Sequence, residues 1–228
     1  MEMCLVNIIV IKLTGKVFDE PQLLKSYIEL FKKLIDKWRL LIVTGGGSLA
    51  RRYIEVARSI GVESNYWLDE IGILASRLNS YLLISALQPY SYPRPVTTLS
   101  EAVEATSIFK IVVMGGLIPT QSTASTLLEV AEALGVKDVI YVSAIDRVYD
   151  KDPLKYPDAE GLIEIDASKL IEMIEQSILP GEYALIDVRA LEIAIRSGIR
   201  IHVVGYRNVE NIDKVLRGEN PGTIINPR

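Results

Sequence analysis

The chain has 228 residues, 49% hydrophobic and 24% charged, with a formal net charge of −4; this describes one large α/β domain or two small ones and excludes a disordered chain and a general nucleic-acid binder. Its single cysteine, Cys4, excludes an intrachain disulfide and a cysteine-based zinc site and fits a reducing compartment. No run approaches the ~18 uncharged apolar residues of a membrane span, and the apolar start from Met1 to Leu13 lacks the basic leader of a signal peptide.

Val6 to Leu13 is a continuous apolar run, as expected of a strand buried on both faces. Asp19-Glu20-Pro21 reads as a helix start, and Leu23, Tyr27, Phe31, Leu34 and Trp38 follow at helical spacing, giving that helix one apolar face. Leu40 to Thr44 is the second strand, broken by Gly45-Gly46-Gly47; Ser48 is placed to cap the next helix, which ends near Gly61. A long helix is expected over Leu68 to Leu87, then an irregular connection marked by Pro89, Pro93 and Pro95. Lys110 to Met114 is another buried strand, closed by Gly115-Gly116; Ser122 to Leu134 is helical and Asp138 to Ser143 a strand. Asp146 to Asp158 is polar, aromatic and punctuated by proline, in the manner of a functional loop or hairpin. Asp166 or Ser168 caps a helix to Gln176, and Asp187 opens one that ends at Gly198. Ile199 to Val204 is a strand, and Asn208 to Leu216 the last helix. The lone histidine, His202, lies in an apolar strand and reads as a satisfied core residue. Alternating helices and apolar strands imply an α/β fold, a three-layer αβα sandwich with a mostly parallel central sheet.

Three glycine turns follow strands: Thr14-Gly15-Lys16, Gly45-Gly46-Gly47 and Gly115-Gly116. Ligands of open α/β sheets bind beyond the carboxyl ends of the strands, where glycine admits a phosphate and a helix start aims N–H groups at it. Three such turns suggest a polyphosphate or two phosphorylated ligands. Lys12 ends the first strand, and an apolar strand tolerates a lysine only if it faces a ligand or pairs with a carboxylate. Arg51 and Arg52 lie one helical turn after the triplet; Arg51 is placed to grip a phosphate, and Arg52 reads as a solvated charge. The triplet and Ala50 also fit the dinucleotide pattern G-x-G-x-x-G/A, but that pattern should follow the first strand, and Asp69 starts a helix rather than ending a strand. There is no Walker A sequence.

Three segments occur in an order that resembles the amino acid kinase superfamily: Lys12-Leu13-Thr14-Gly15-Lys16, Thr44-Gly45-Gly46-Gly47-Ser48 and Asp146-Arg147-Val148-Tyr149-Asp150-Lys151-Asp152-Pro153. Within it the chain is similar to the archaeal-type uridylate kinases, through Leu49 to Tyr53, Leu68-Asp69-Glu70-Ile71-Gly72 and Gly115 to Thr123. The resemblance implies the amino acid kinase fold in one domain over residues 1–228, with an acceptor-binding part of about 1–135 and an ATP-binding part of about 136–228. It implies transfer of a phosphoryl group from ATP to UMP, with Mg²⁺ carried by ATP, in a cytoplasmic homo-oligomer, usually a hexamer, with the apolar face of Leu23 to Trp38 available for one interface. Lys12 and Asp187 would serve the transfer centre, although Asp187 is equally a helix cap. Lys12, Gly15, Lys16, Gly47, Arg51, Ser143, Tyr149 and Asp152 would contact ATP. Gly46, Gly47, Arg51, Asp69, Leu117, Ile118, Pro119, Thr120, Gln121, Ser122 and Thr123 would contact UMP, with Asp69 on the ribose or acting only as a helix-start carboxylate. Four departures from the family pattern are Ala124 for aspartate, Thr120 for glycine, Val188 for proline and Arg147 for glycine, the last bearing on the path of the ATP loop. Another acceptor, such as carbamate, a small carboxylate or isopentenyl phosphate, and a binding protein without turnover are the competing readings.

Overall fold

The computed structural model describes residues 7–153, 155–175 and 186–228. Cys4 lies outside them. The strands are β1 (Ile8–Leu13), β2 (Arg39–Thr44), β3 (Ile111–Met114), β4 (Asp138–Ser143), β5 (Glu164–Asp166), β6 (Arg200–Gly205) and β7 (Thr223–Asn226). They form one sheet in the order β3-β2-β1-β4-β6-β7-β5, parallel throughout except where β6 meets β7. The helices are α1 (Pro21–Leu34), α2 (Gly47–Ser59), α3 (Asn65–Ala86), α4 (Leu99–Ile108), α5 (Thr123–Ala133), α6 (Ala167–Glu175), α7 (Val188–Ser197) and α8 (Glu210–Leu216).

Strand alternation sorts the core into two layers. Ile9, Ile11, Leu40, Ile42, Ile111, Val113, Ile140 and Val142 pack under α1, α8 and the carboxyl-terminal part of α3. Val10, Leu41, Val43, Val112, Met114, Val139 and Tyr141 pack under α4, α5, α6 and α7. Each central strand thus buries both faces, which is why the strands read as unbroken apolar runs. Lys12 shares the α5 side of β1 with Val10, because side chains alternate along a strand.

Several expectations are corrected. Ser48 does not cap α2: its hydroxyl donates to Asp19, while Gly46 stands at the cap without a side-chain bond. The long helix starts at Asn65, so Asp69 lies in its second turn rather than at its start. The proline-marked connection contains α4, capped by the Thr98 hydroxyl, which accepts from Glu101 N–H. The short strands β5 and β7 extend the sheet beyond β6. The face of α1 expected to be free for assembly is spent on the sheet, since Tyr27, Leu30, Phe31 and Leu34 are core residues. Arg147 adopts no left-handed φ, so the loop accommodates it without that strain; its side chain instead covers Gly161, where a Cβ would lie 2.9 Å from Arg147 Cδ. His202 is only half satisfied: Nε2 is 2.8 Å from Asp138, and Nδ1 is buried with no partner among the described residues.

Candidate functional site

The carboxyl ends of β3, β2 and β1 are adjacent, so their three glycine turns share one corner of the molecule. Two of them touch backbone to backbone. A Cβ on Gly15 would lie 2.1 Å from Gly47 N, and one on Gly47 2.5 Å from Gly15 O. Gly47 also has φ +62, in the left-handed region that disfavours side chains. No larger residue fits either position. The third turn differs: a Cβ on Gly115 would meet Ser76 Oγ at 2.5 Å, so this glycine admits α3 rather than a phosphate.

α3 carries polar side chains that hold these turns. Asn79 donates to Gly45 O at 2.8 Å and Gly46 O at 3.4 Å. Ser76 Oγ accepts from Gly116 N–H at 2.8 Å. Arg77 donates to Gly116 O at 3.2 Å and Leu117 O at 3.1 Å. Asp69 accepts from Thr120 N–H at 2.8 Å. Thr120 takes φ 65, the left-handed conformation suited to the glycine it replaces. Asp69 is thereby tied to the segment expected to wrap the base. Ser76, Arg77 and Asn79 were not singled out in the sequence; the signal for them is polar residues recurring on one side of an otherwise apolar helix.

Between α2, α3 and the 116–123 segment lies a cavity of about 230 Å³. Gly46, Gly47, Asp69, Ile118, Gln121 and Thr123 line it, six of the residues expected to contact UMP. Leu117, Pro119, Thr120 and Ser122 belong to the same segment but do not face the cavity. Ala50 and Ile54 line it from α2, and Arg51 stands beside them, four residues after Gly47 on the same side of the helix. Arg51 and Arg52 are both exposed, and neither pairs with a carboxylate among the described residues.

Lys12 is 8% exposed at the end of β1. Its ammonium donates to the Tyr141 hydroxyl at 3.0 Å and lies 4.1 Å from the centre of that ring. No carboxylate pairs with it among the described residues, so the structural ion pair that was one expectation for this lysine is not found there. Lys16, partly buried in the 3-10 turn Gly15–Asp19, likewise has no such pair. Asp187 caps α7 by accepting from Ala190 N–H at 3.1 Å, and its carboxylate also accepts from the hydroxyls of Ser122 and Ser125. Ser122 in turn caps α5. The starts of α5 and α7 are therefore laced together through one carboxylate, which two positive helix ends stabilise.

Beyond β4 and β6 a second cavity, of about 420 Å³, is lined by Ala144, Ile145, Asp146, Tyr206, Arg207 and Asn208, among others. Ser143, expected to contact ATP, is buried beside it, its hydroxyl accepting from Ile145 N–H at 3.1 Å. Tyr149 donates to Asp146 at 2.8 Å; that bond, with partial burial, raises the phenol pKa above its ordinary value. Asp152 is buried and 3.9 Å from Lys155. Asp146, Arg207 and Asn208 were not expected at this site, because β6 brings the last two there from more than fifty residues away. A larger cavity of about 640 Å³ opens beside Asn7, Asp138 and His202 at the opposite ends of the strands, away from all three glycine turns.

A buried lysine near the end of β1 and interlocked glycine turns at the carboxyl edge of a mostly parallel sheet fit a phosphoryl-transfer fold, and residues 7–205 match the model of the amino acid kinase family; the chain belongs to that family. Several of its relatives are uridylate kinases. It is 59% identical over 222 residues to the uridylate kinase of Staphylothermus marinus, covering 97% of this chain and 99% of the relative. It is 43% identical to that of Pyrobaculum neutrophilum, covering 95% and 98%. The crystal structure of uridylate kinase from Archaeoglobus fulgidus superposes with a TM-score of 0.86 at 32% identity, covering 96% of this chain and 100% of that one. The UMP kinase of Bacillus anthracis shares the fold, with a TM-score of 0.77 at 20% identity.

Proposed function

We propose that the chain is a uridylate kinase that transfers the γ-phosphoryl group of ATP to UMP, giving UDP and ADP. The observation that carries this reading is the interlock of Gly15 with Gly47 beside Lys12, whose buried charge has no carboxylate partner among the described residues. A buried cation without a counter-charge is costly, and bound phosphates relieve that cost. The two glycine turns bring the chain's phosphate-binding elements together, as in-line transfer between two phosphates requires.

UMP occupies the cavity between α2 and α3, with Asp69 on the ribose hydroxyls, the 117–123 segment around the uracil, and Gly46, Gly47 and Arg51 toward its phosphate. A phosphate oxygen of UMP attacks the γ-phosphorus as the bond to the β–γ bridging oxygen breaks, and ADP leaves. Lys12 and Lys16 lie along the transferring phosphates. ATP's nucleoside fits the second cavity, near Ser143, Tyr149 and Asp152. This division supports an acceptor part of about 1–135 and an ATP part of about 136–228, since the first cavity is lined by residues 46–123 and the second by 144–211. Mg²⁺ enters as MgATP; no group of three or more His, Cys, Asp and Glu among the described residues is arranged to hold a metal ion.

We place the enzyme in the cytoplasm, working in pyrimidine nucleotide synthesis as a homo-oligomer, with the hexamer as the expected form. One support for assembly is a stripe of exposed apolar residues along α3, Trp67, Leu74, Leu78, Tyr81 and Leu82, flanked by Tyr53 and Val56 of α2. Among the described residues no helix is long and apolar enough to cross a membrane. A coupled assay of ADP release with UMP, CMP, AMP and GMP tests the reaction. A site that hydrogen-bonds uracil leaves buried groups unpaired with cytosine, so UMP is expected to exceed CMP by about 100-fold or more in kcat/KM. Equal turnover of the two overturns the assignment.

A further inference from the structure

A catalytic ammonium must be held in place by something that leaves its charge free. Lys12 is on β1 and Tyr141 on β4, paired in parallel register and facing the same side of the sheet. Tyr141 is 3% exposed, its ring packed in the core under α5 and α7. The ammonium meets both parts of that side chain, the hydroxyl at 3.0 Å and the ring at 4.1 Å from its centre. An ammonium has three N–H donors, so one bond to the phenol oxygen leaves two for phosphate oxygens. The chemistry of the neighbour matters. A carboxylate at position 141 would fix the lysine more tightly but cancel much of its field. An aliphatic residue would leave the charge intact and the flexible four-carbon stem unaimed. A neutral phenol with an electron-rich face restrains the cation and does not neutralise it.

We propose that Tyr141 is the positioning residue of the transfer centre, its hydroxyl and ring face aiming the Lys12 ammonium at the phosphates while leaving its charge uncompensated. The inference rests on the phosphoryl-transfer reading above. It assigns a role to a residue outside the glycine turns and the recognised site segments.

Tyr141→Phe keeps the ring and its packing and removes only the oxygen. Loss of a hydrogen bond to a charged group is expected to lower kcat about tenfold, with KM for ATP and UMP within about twofold of wild type and a melting temperature lowered by a few degrees. In a Lys12→Met background the same substitution leaves the residual rate unchanged, because the group it positions is gone. Wild-type kcat in Tyr141→Phe, or an equal loss in both backgrounds, overturns the proposal. If the wild-type protein forms no ADP with any nucleoside monophosphate, the function reading fails by itself. The ¹⁵Nζ signal of Lys12, assigned by its loss in Lys12→Met, then decides the matter for Tyr141. It is expected to shift in Tyr141→Phe, and an unshifted signal refutes the contact.

Discussion

Lys12→Met removes the ammonium and keeps most of the apolar stem, so it separates charge from packing. At about 4 Å and an effective dielectric near 20, one unit charge is worth about 4 kcal/mol to another. Most of that is realised only as charge moves onto the β–γ bridging oxygen, since only differential binding raises turnover. The expected loss is about 3–4 kcal/mol in the transition state, or roughly 10²–10³ in kcat, with smaller changes in the KM values for ATP and UMP. Stability is expected to move the other way. Lys12 is buried and its ammonium meets a phenol, with no carboxylate partner among the described residues. Deleting it relieves a desolvation cost of about 1 kcal/mol or more, so the melting temperature stays level or rises by about 2–4 °C. Single-turnover kinetics and thermal unfolding on the same preparation provide both numbers. A folded variant with near-normal kcat refutes the catalytic role. A clear fall in melting temperature refutes the claim that the cation is buried at a cost.

Arg51→Ala is expected to raise KM for UMP about 10- to 100-fold by loss of a charge-assisted grip on its phosphate, with Arg52→Ala close to wild type; similar UMP constants for the two refute the assignment. Asp187→Asn retains a capping side chain, so its stability stays within about 1 kcal/mol and its kcat within about tenfold, whereas Asp187→Ala loses about 2 kcal/mol in urea unfolding. A loss of 10³ in kcat for the asparagine variant, with stability intact, makes the carboxylate charge catalytic rather than a strut between α5 and α7. Asn79→Ala leaves the carbonyls of Gly45 and Gly46 without their donor, and denaturation is expected to show a loss of about 1–3 kcal/mol. An unchanged midpoint would mean that the triplet holds its shape unaided.

The central strands were legible because burial on both faces demands continuous apolar runs, and the glycine turns because nothing larger fits where Gly15 meets Gly47. Family resemblance supplied the roles; composition and spacing alone reached only a phosphate site on an α/β sheet. Helix α4 escaped notice because three prolines dominate the segment before it. The strands β5 and β7 are three and four residues long, too short for a periodic signal. Ser48 misled because a cap rule concerns local bonds, and its hydroxyl found a partner 29 residues away. The support from Ser76, Arg77 and Asn79 is long-range in the same sense: each reaches a turn 33 to 40 residues distant, which no local pattern records.

The polar ladder of α3 makes the helix a ruler. Asp69, at one end, holds the segment meant for the base, and Asn79, ten residues on, holds the turn meant for the phosphate. A helix rises 1.5 Å per residue, so these two anchor points are held about 15 Å apart along a rod far stiffer than either loop. Neither loop can drift toward the other without breaking its own bonds to the rod. Under the proposed function, an acceptor is gauged for length as well as gripped at each end, and tolerance for longer or shorter molecules has to be sought in α3 itself.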